Sequence, residues 1–344
     1  MSFWDFSLEN TGRTQIVSIQ YQEQYGRAKK PVFMRVFAVS SVIPALCVLI
    51  LCAFSILKGI AEDGLLTIYF VDVGQADSTI ITCDGDVLMI DGGNVADSQL
   101  IYSILSNTLG IRHIDYMIAT HPHEDHVGGL AAALNACSVD VLFTPVLDYD
   151  TKAFHSMMKY AQAQETEIKI PKPGNSFKIG SAKVDILGPL KQYRNTNDLS
   201  IVCKITYGHT SFLFGGDVEW EAEHDLVEAG VDLSADVLKV NHHGSETSTS
   251  YVFLREVMPT YAIISVGADN SYGHPSDEVL SRLEDAGAIV MRTDQMGTII
   301  CVSDGQSIVF QEYNSHSILS KPWWTYSHAN PIEFIILERK KESA

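Results

Sequence analysis

The chain has 344 residues, longer than a typical single domain, with 24 basic and 42 acidic side chains and a formal charge of −18. Six of the basic and three of the acidic groups fall in residues 1–60, so the remainder holds 18 basic and 39 acidic groups, a formal −21. That balance excludes a broad basic nucleic-acid-binding face, and the absence of a C-x-x-C spacing argues against a thiol-based metal or redox site.

The first 31 residues are polar and unpatterned, and are expected to be unstructured within a cytoplasmic leader of residues 1–35. Residues 36–57, VFAVSSVIPALCVLILCAFSIL, then run for 22 positions without a charge. At about 1.5 Å per residue a helix of that length spans roughly 33 Å, enough to cross the hydrocarbon core. Pro44 does not oppose this, since membrane helices tolerate proline better than soluble ones. The run is also longer than the roughly 7–15 apolar residues of a cleaved signal peptide. Arg27, Lys29, Lys30 and Arg35 stand before it, and after Lys58 no basic residue occurs until Arg112. Basic flanks stay inside, so a single-pass membrane anchor is predicted, with the N-terminus cytoplasmic and the rest of the chain outside.

From residue 65 onward, strands come first. Residues 66–71, 78–82 and 87–90 read as strands, the last two separated by the turn signal Asp84-Gly85-Asp86. Residues 98–109 read as a helix, 114–118 as a buried strand and 130–135 as a helix. A second set follows: strands at 183–187, 200–207 and 211–214, a helix at 219–228, and strands at 236–240 and 262–266. A last helix is opened by Pro275 at its first position. Two β-rich halves with helices outside predict an α/β fold, a four-layer αβ/βα sandwich. Cys83, Cys137, Cys203 and Cys301 are scattered through this region and read as small buried hydrophobes.

The chemistry concentrates directly after the strand at 114–118, in Thr120-His121-Pro122-His123-Glu124-Asp125-His126-Val127-Gly128-Gly129. Two ligands at i and i+2 of an extended segment point to one side, and a tight turn brings Asp125 and His126 beside them. This H-x-H-x-D-H loop suits two adjacent divalent metals, one on His121 and His123, the other on Asp125 and His126. Further on, Asp217 follows an apolar strand and two glycines, which let the backbone turn sharply and present a carboxylate at the sheet edge. The strand at 236–240 leads into His242-His243-Gly244. Strand alternation places His242 on the face of Leu238 and Val240 and favours it as a ligand. His243 would then face substrate or brace the loop.

The loop resembles the signature of the metallo-β-lactamase fold, and other motifs narrow the resemblance to the ComEC-like branch, named for the extracytoplasmic domain of the competence DNA-uptake channel. Phe70-Val71-Asp72-Val73-Gly74-Gln75-Ala76-Asp77-Ser78, Ile90-Asp91-Gly92-Gly93-Asn94 and Asn197-Asp198-Leu199-Ser200 are similar to that branch. So are Phe214-Gly215-Gly216-Asp217, Leu238-Lys239-Val240-Asn241-His242-His243-Gly244-Ser245 and Tyr272-Gly273-His274-Pro275, in the same order. Ala76 departs from the glycine usual there, without loss of a ligand. The resemblance covers residues 65–312 and leaves 313–344, with Trp323, Trp324 and a basic end, as a tail expected to pack on its own domain. It implies that Asp217 bridges both metals and that the second metal takes one of His242 and His243. Hydrolytic lactamases add a third histidine to the first metal from mid-chain, but no histidine lies between His155 and His209 here. The first metal is therefore expected to hold His121, His123, Asp217 and an open position.

Two divalent ions, zinc or manganese, about 3.5–4 Å apart would activate a bridging water and clamp an electrophile. Asp125 and Asp217 would orient that water and shuttle its proton. Asp91 is either a brace for a ligating histidine or a plain turn residue. Asn197 and Ser200 either donate to a bound phosphate or carbonyl or brace their own loop. His274 either protonates a leaving group or caps the helix at Pro275. Together these readings predict an extracytoplasmic phosphodiesterase or nuclease for short or single-stranded nucleic acid or a small phosphodiester. The alternatives are a hydrolase of a lactone, β-lactam or cell-envelope ester, and a non-catalytic metal-binding surface protein. DNA transport is not implied, because a channel needs many spans and the sequence offers one.

Overall fold

The computed structural model describes two strands near the N-terminus and residues 64–312. Strands β1 (Trp4–Thr11) and β2 (Thr14–Tyr21) pair antiparallel, with Thr11 opposite Thr14 and Trp4 opposite Tyr21. The leader was expected to be unstructured, and this hairpin corrects that expectation. Its second strand is rich in the β-branched residues Thr14, Ile16, Val17 and Ile19, a strand signal that the polar average conceals. The predicted span at 36–57 and the tail at 313–344 lie outside the described residues. Among the described residues no helix is long and apolar enough to cross a membrane.

Residues 64–312 fold as two sheets. Strands β3 (Leu66–Phe70), β4 (Ser78–Cys83) and β5 (Asp86–Gly92) form an antiparallel meander. Strands β6 (His113–Ile118), β7 (Ser138–Phe143) and β8 (Glu167–Lys169) then add in parallel. Between them run α1 (Ser98–Ser103), α2 (Glu124–Val127), α3 (Leu130–Ala136) and α4 (Lys152–Ala163). The second half repeats the plan. Antiparallel β9 (Ser176–Ile179), β10 (Ala182–Ile186), β11 (Cys203–Tyr207) and β12 (Thr210–Phe214) come first. Parallel β13 (Val237–Lys239), β14 (Tyr261–Ile264) and β15 (Ile289–Arg292) follow, connected through α5 (Trp220–Glu228), α6 (Tyr251–Val257) and α7 (Asp277–Asp285). After the short α8 (Thr293–Met296), β16 (Ile299–Ser303) and β17 (Ile308–Glu312) return to the first sheet beside β3. The sheet orders are β17-β16-β3-β4-β5-β6-β7-β8 and β15-β14-β13-β12-β11-β10-β9.

Strand alternation explains the layering. Leu66, Ile68, Phe70, Leu88 and Ile90 pack between the sheets with Ile205, Phe212, Phe214, Val237 and Ile263. Their neighbours face outward: Ile80, Met89 and Met117 meet Ile101, Leu130, Phe154 and Met157 of the first helical layer. Leu213, Leu238 and Ile264 meet Leu226, Phe253, Leu254 and Leu283 of the second. Three apolar interfaces separate four layers, the αβ/βα sandwich expected from the sequence. Each fully buried Leu, Ile or Phe contributes about 1.5–3 kcal/mol of hydrophobic stabilisation.

Two helix expectations change. The helix predicted at 98–109 ends as α at Ser103 and continues as a π turn over Ile104–Thr108. The helix predicted to open at Pro275 starts at Asp277, capped by Ser276, whose Oγ accepts from Val279 N at 3.2 Å. His274 therefore does not cap it. The four cysteines of residues 64–312 are free and buried, as their apolar settings imply.

Candidate metal centre

Parallel α/β units collect ligands at the carboxyl ends of their strands, and all the candidate residues stand there. After β6 the chain turns at Ala119 and Thr120. Thr120 donates from its backbone N to Asp91 Oδ1 (2.8 Å) and from Oγ1 to Asp91 Oδ2 (2.7 Å). His123 is the N-cap of α2, which places Asp125 and His126 in that helix's first turn. His126 Nδ1 lies 2.8 Å from Asp91 Oδ2. Asp91, buried at the end of β5 with a left-handed φ of 58°, is thus the brace of its two readings. The loop seats against β5 because Gly129 has no side chain: a Cβ there would run into the Gly92 carbonyl oxygen.

On the second sheet, β12 ends at Phe214 and Gly216 turns with φ 57°; a Cβ there would lie 2.9 Å from Ser200 Oγ. Ser200 Oγ accepts from Asp217 N at 3.1 Å and is fully buried, so it braces the Asp217 turn and does not reach substrate. The two carboxylate oxygens of Asp217 face different imidazoles. Oδ1 lies 3.2 Å from His126 Nε2 and 3.8 Å from His243 Nε2. Oδ2 lies 3.7 Å from His121 Nε2 and 3.7 Å from His242 Nε2. Asp125 Oδ2 stands 3.5 Å from His243 Nε2, and His123 Nδ1 stands 3.1 Å from His121 Nε2. Ligand atoms of Asp125, His126, Asp217 and His243 all lie within 4.8 Å of one another.

The alternation argument for His242 is not met. Strand β13 ends at Lys239, and a 3₁₀ turn over Asn241–Gly244 carries His242 at φ 48° and His243 at φ 53°. Two successive left-handed residues abolish the period of two, so His243 joins Asp125 and His126 while His242 faces the other oxygen of Asp217. His243 is buried, 1% exposed, in the wall of the cleft.

Buried acceptors fix the imidazole tautomers. His243 Nδ1 is 3.0 Å from the Ser265 carbonyl, which only accepts, so Nδ1 carries a proton and Nε2 is the nitrogen turned inward. Asp77 Oδ1 lies 3.3 Å from the same nitrogen, and Lys239 Nζ donates to Asp77 Oδ2 at 2.8 Å. Glu219 Oε1 backs His242 Nδ1 at 3.3 Å and accepts from Asn197 Nδ2 at 2.9 Å. His126, His242 and His243 are each backed by a carboxylate on the side away from Asp217, the arrangement that orients metal-binding imidazoles. The roles of Asp77, Lys239 and Glu219 were not assigned from sequence. The one available signal was Lys239, a lone charge inside the apolar strand Val237-Leu238-Lys239-Val240.

Electrostatics divide the histidines. Burial and the nearby His126 hold His121 well below the usual imidazole range, and burial also lowers His123. For His126 and His243 burial is outweighed by carboxylates: Asp217 and Asp91 raise the first well above its usual value, and Asp217 and Asp77 push the second up to about 10. Burial alone would raise Asp125 and Asp217, but His126 and His243 hold Asp125 at about 2 and Asp217 well below the carboxylate range.

The residues fit a divalent cation. His126 Nε2, His243 Nε2 and Asp217 Oδ1 are buried without a hydrogen bond and converge with Asp125, and an imidazole–carboxylate donor set suits zinc or manganese. Beside them opens a cleft of about 290 Å³ lined by Gln75, His123, Asp125, Asn197, Asp217, His242, His243, Tyr272 and His274. Gln75 Oε1 accepts from Gly267 N at 3.2 Å, which turns its Nε2 toward His274 Nδ1 at 3.5 Å. Burial, with His242 and His243, pushes His274 down to about 4, so it is neutral at pH 7 and a poor proton donor to a leaving group.

A two-sheet sandwich with imidazoles and carboxylates converging at the strand ends defines a metal-dependent hydrolase. The chain belongs to the metallo-β-lactamase superfamily, whose profile residues 71–268 match. It is 31% identical over 247 residues to ComE operon protein 3 of Bacillus subtilis, covering 67% of this chain and 32% of that protein. It is 29% identical over 229 residues to Competence protein ComA of Neisseria gonorrhoeae, covering 66% and 31%. The chain thus spans about a third of the length of these curated relatives. Among solved structures, the metallo-β-lactamase fold protein YhfI of Bacillus subtilis aligns with a TM-score of 0.45 at 12% identity, over 67% of this chain and 96% of that one.

Proposed function

We propose that this protein is a membrane-anchored, extracytoplasmic phosphodiesterase that works with two divalent ions. The observation that carries the reading is Asp217, whose two oxygens face two separate sets of imidazoles. His121, His123, His242 and Asp217 Oδ2 would hold one ion; Asp125, His126, His243 and Asp217 Oδ1 would hold the other. When bound, such a pair supplies a nucleophile at neutral pH and neutralises charge developing on a phosphoryl group. Sequence reasoning expected an open position on the first ion, and His242, with Nε2 3.7 Å from Asp217 Oδ2, would take it. The basic flank before residues 36–57 supports the anchor and its orientation.

The chain's own groups act as follows. Asp91 and Asp77 fix His126 and His243 with Nε2 inward. His274, neutral and with Nδ1 turned to Gln75, keeps its proton on Nε2 and offers it to a substrate oxygen as a hydrogen bond. Asn197 donates from Nδ2 to Glu219 and keeps Oδ1 buried, so it braces the carboxylate behind His242. The relatives' names, a ComE operon protein and a competence protein, support a nucleic acid as the source of the diester.

A second reading, an uncharged lactone or ester, is favoured by one fact: among the described residues no lysine or arginine lines the cleft. One screen separates the two. The full-length chain, loaded with zinc or manganese, is assayed against short single-stranded DNA, small phosphodiesters, lactones and β-lactams. The phosphodiesterase reading expects turnover of the diesters; turnover of a lactone or β-lactam alone overturns it.

A further inference from the structure

The loop between β14 and α7 carries an aromatic ring with no role in holding metal. Tyr272 is 72% exposed, the most solvent-facing of the large hydrophobic side chains in residues 64–311. Its ring lies 5.7 Å from that of His274 at an interplanar angle of 27°, and it lines the same cleft as Asp125, Asp217 and His242.

This ring is held in place without being buried. Asn270 ties its loop with both ends of its side chain: Nδ2 donates to the carbonyls of Gly267 (3.0 Å) and His274 (2.6 Å). Oδ1 accepts from the backbone N of Tyr272 (3.2 Å) and of His274 (3.1 Å). A tethered backbone presenting an open aromatic face loses little entropy when a planar partner settles on it. The cleft itself, about 290 Å³, is at the small end of ligand sites, large enough for a phosphate and its sugar. What is attached to that sugar must leave the cleft, and Tyr272 stands at its rim.

Among the described residues no lysine or arginine lines the cleft, so an aromatic face is the contact left to hold a nucleotide beyond the metal ligands. Single-strand binders draw affinity from base–aromatic stacking as well as from charge, and stacking is indifferent to sequence.

We propose that Tyr272 is a stacking platform for the nucleobase next to the scissile phosphate, so that the substrate is a single-stranded nucleotide diester. The inference rests on the phosphodiesterase reading above and narrows its substrate. Duplex DNA keeps its bases stacked on one another and does not offer that face. A glycerol or sugar phosphodiester has no base to place there.

The test compares two single-stranded oligonucleotides of equal length, one of thymidines and one abasic throughout, as substrates of the metal-loaded full-length chain and of Tyr272→Ala and Tyr272→Phe. Stacking of this kind changes affinity by about 10-fold. Tyr272→Ala is expected to raise KM for the thymidine strand about 10-fold, to leave KM for the abasic strand unchanged, and to keep metal content at the wild-type level. Tyr272→Phe, which retains the ring, is expected to restore the wild-type KM. If wild type cleaves both strands and Tyr272→Ala changes neither KM, or changes both alike, stacking is overturned and the phosphodiesterase reading stands. If wild type cleaves neither strand nor any small diester, that reading falls and this proposal falls with it.

Discussion

At the scale of single residues, the centre is a set of carboxylates and imidazoles whose charges depend on one another. Asp217, Asp125, Asp91 and Asp77 surround His126 and His243, and their carboxylates hold both imidazoles protonated at neutral pH. The sign of the consequence is fixed. A group with a raised pKa carries its proton below that value and must release it for a metal to take the same nitrogen. Asp125 and Asp217, held low, are already ionised and release none. Loading with zinc at pH 7 is therefore expected to release protons from His126 and His243, and apparent affinity is expected to rise with pH above 7. Calorimetry in buffers of different ionisation enthalpy measures the release; binding with no proton release would remove His126 and His243 from the ligand set. Asp77→Asn tests the brace in the same way. It should weaken metal binding about 10–100-fold, as loss of an outer carboxylate partner does, and leave one ion more labile than the other. H-x-H-x-D-H and Asp217 were legible in the sequence because they sit at fixed offsets from strand ends. The His242–His243 choice was not, because it depends on two left-handed φ angles that no alternation pattern encodes.

At the scale of elements, strand ends and caps decide whether the loops meet. Helix α3 and strand β5 approach so closely at Gly129 and Gly92 that a methyl group cannot enter. Gly129→Ala should destabilise the fold by about 1–3 kcal/mol, the usual cost of overpacking, seen as a lower urea midpoint with an unchanged slope. Ser276→Ala should cost about 1 kcal/mol as a lost helix cap. Whole elements were legible where their hydrophobic period was long, as in β3 to β6 and α5. Strands β7 to β9 and β15 to β17 and helices α4 and α6 were not drawn from the sequence. Helix α4 does place Ala153, Phe154, Met157 and Ala161 at helical spacing, whereas β16 and β17 join the first sheet only by returning from late in the chain. Pairing across that distance is tertiary information. Ser276 was hidden behind the stronger signal of Pro275, which biases the chain toward a helix start two residues too early.

At the scale of the whole molecule, charge and topology set what can reach the centre. The region after residue 60 carries a formal −21, so it repels a polyanion at long range. Nucleases that bind through lysine and arginine lose affinity as salt rises; here screening should act in the opposite sense. KM for single-stranded DNA is expected to fall as salt rises from about 20 to 150 mM, where the Debye length shortens to about 8 Å. A KM that climbs with salt would reveal a basic binding surface that the composition denies. The anchor reading has its own check: protease added to intact cells should digest the catalytic region and spare the leader, and protection of that region until lysis would reverse the orientation. The central claim is that Asp217 joins two metal ions. Anomalous diffraction from crystals of the zinc- or manganese-loaded protein tests it most directly. Two peaks about 3.5–4 Å apart, one on each oxygen of the Asp217 carboxylate, are the predicted result; a single peak, or a pair that does not share Asp217, would contradict it.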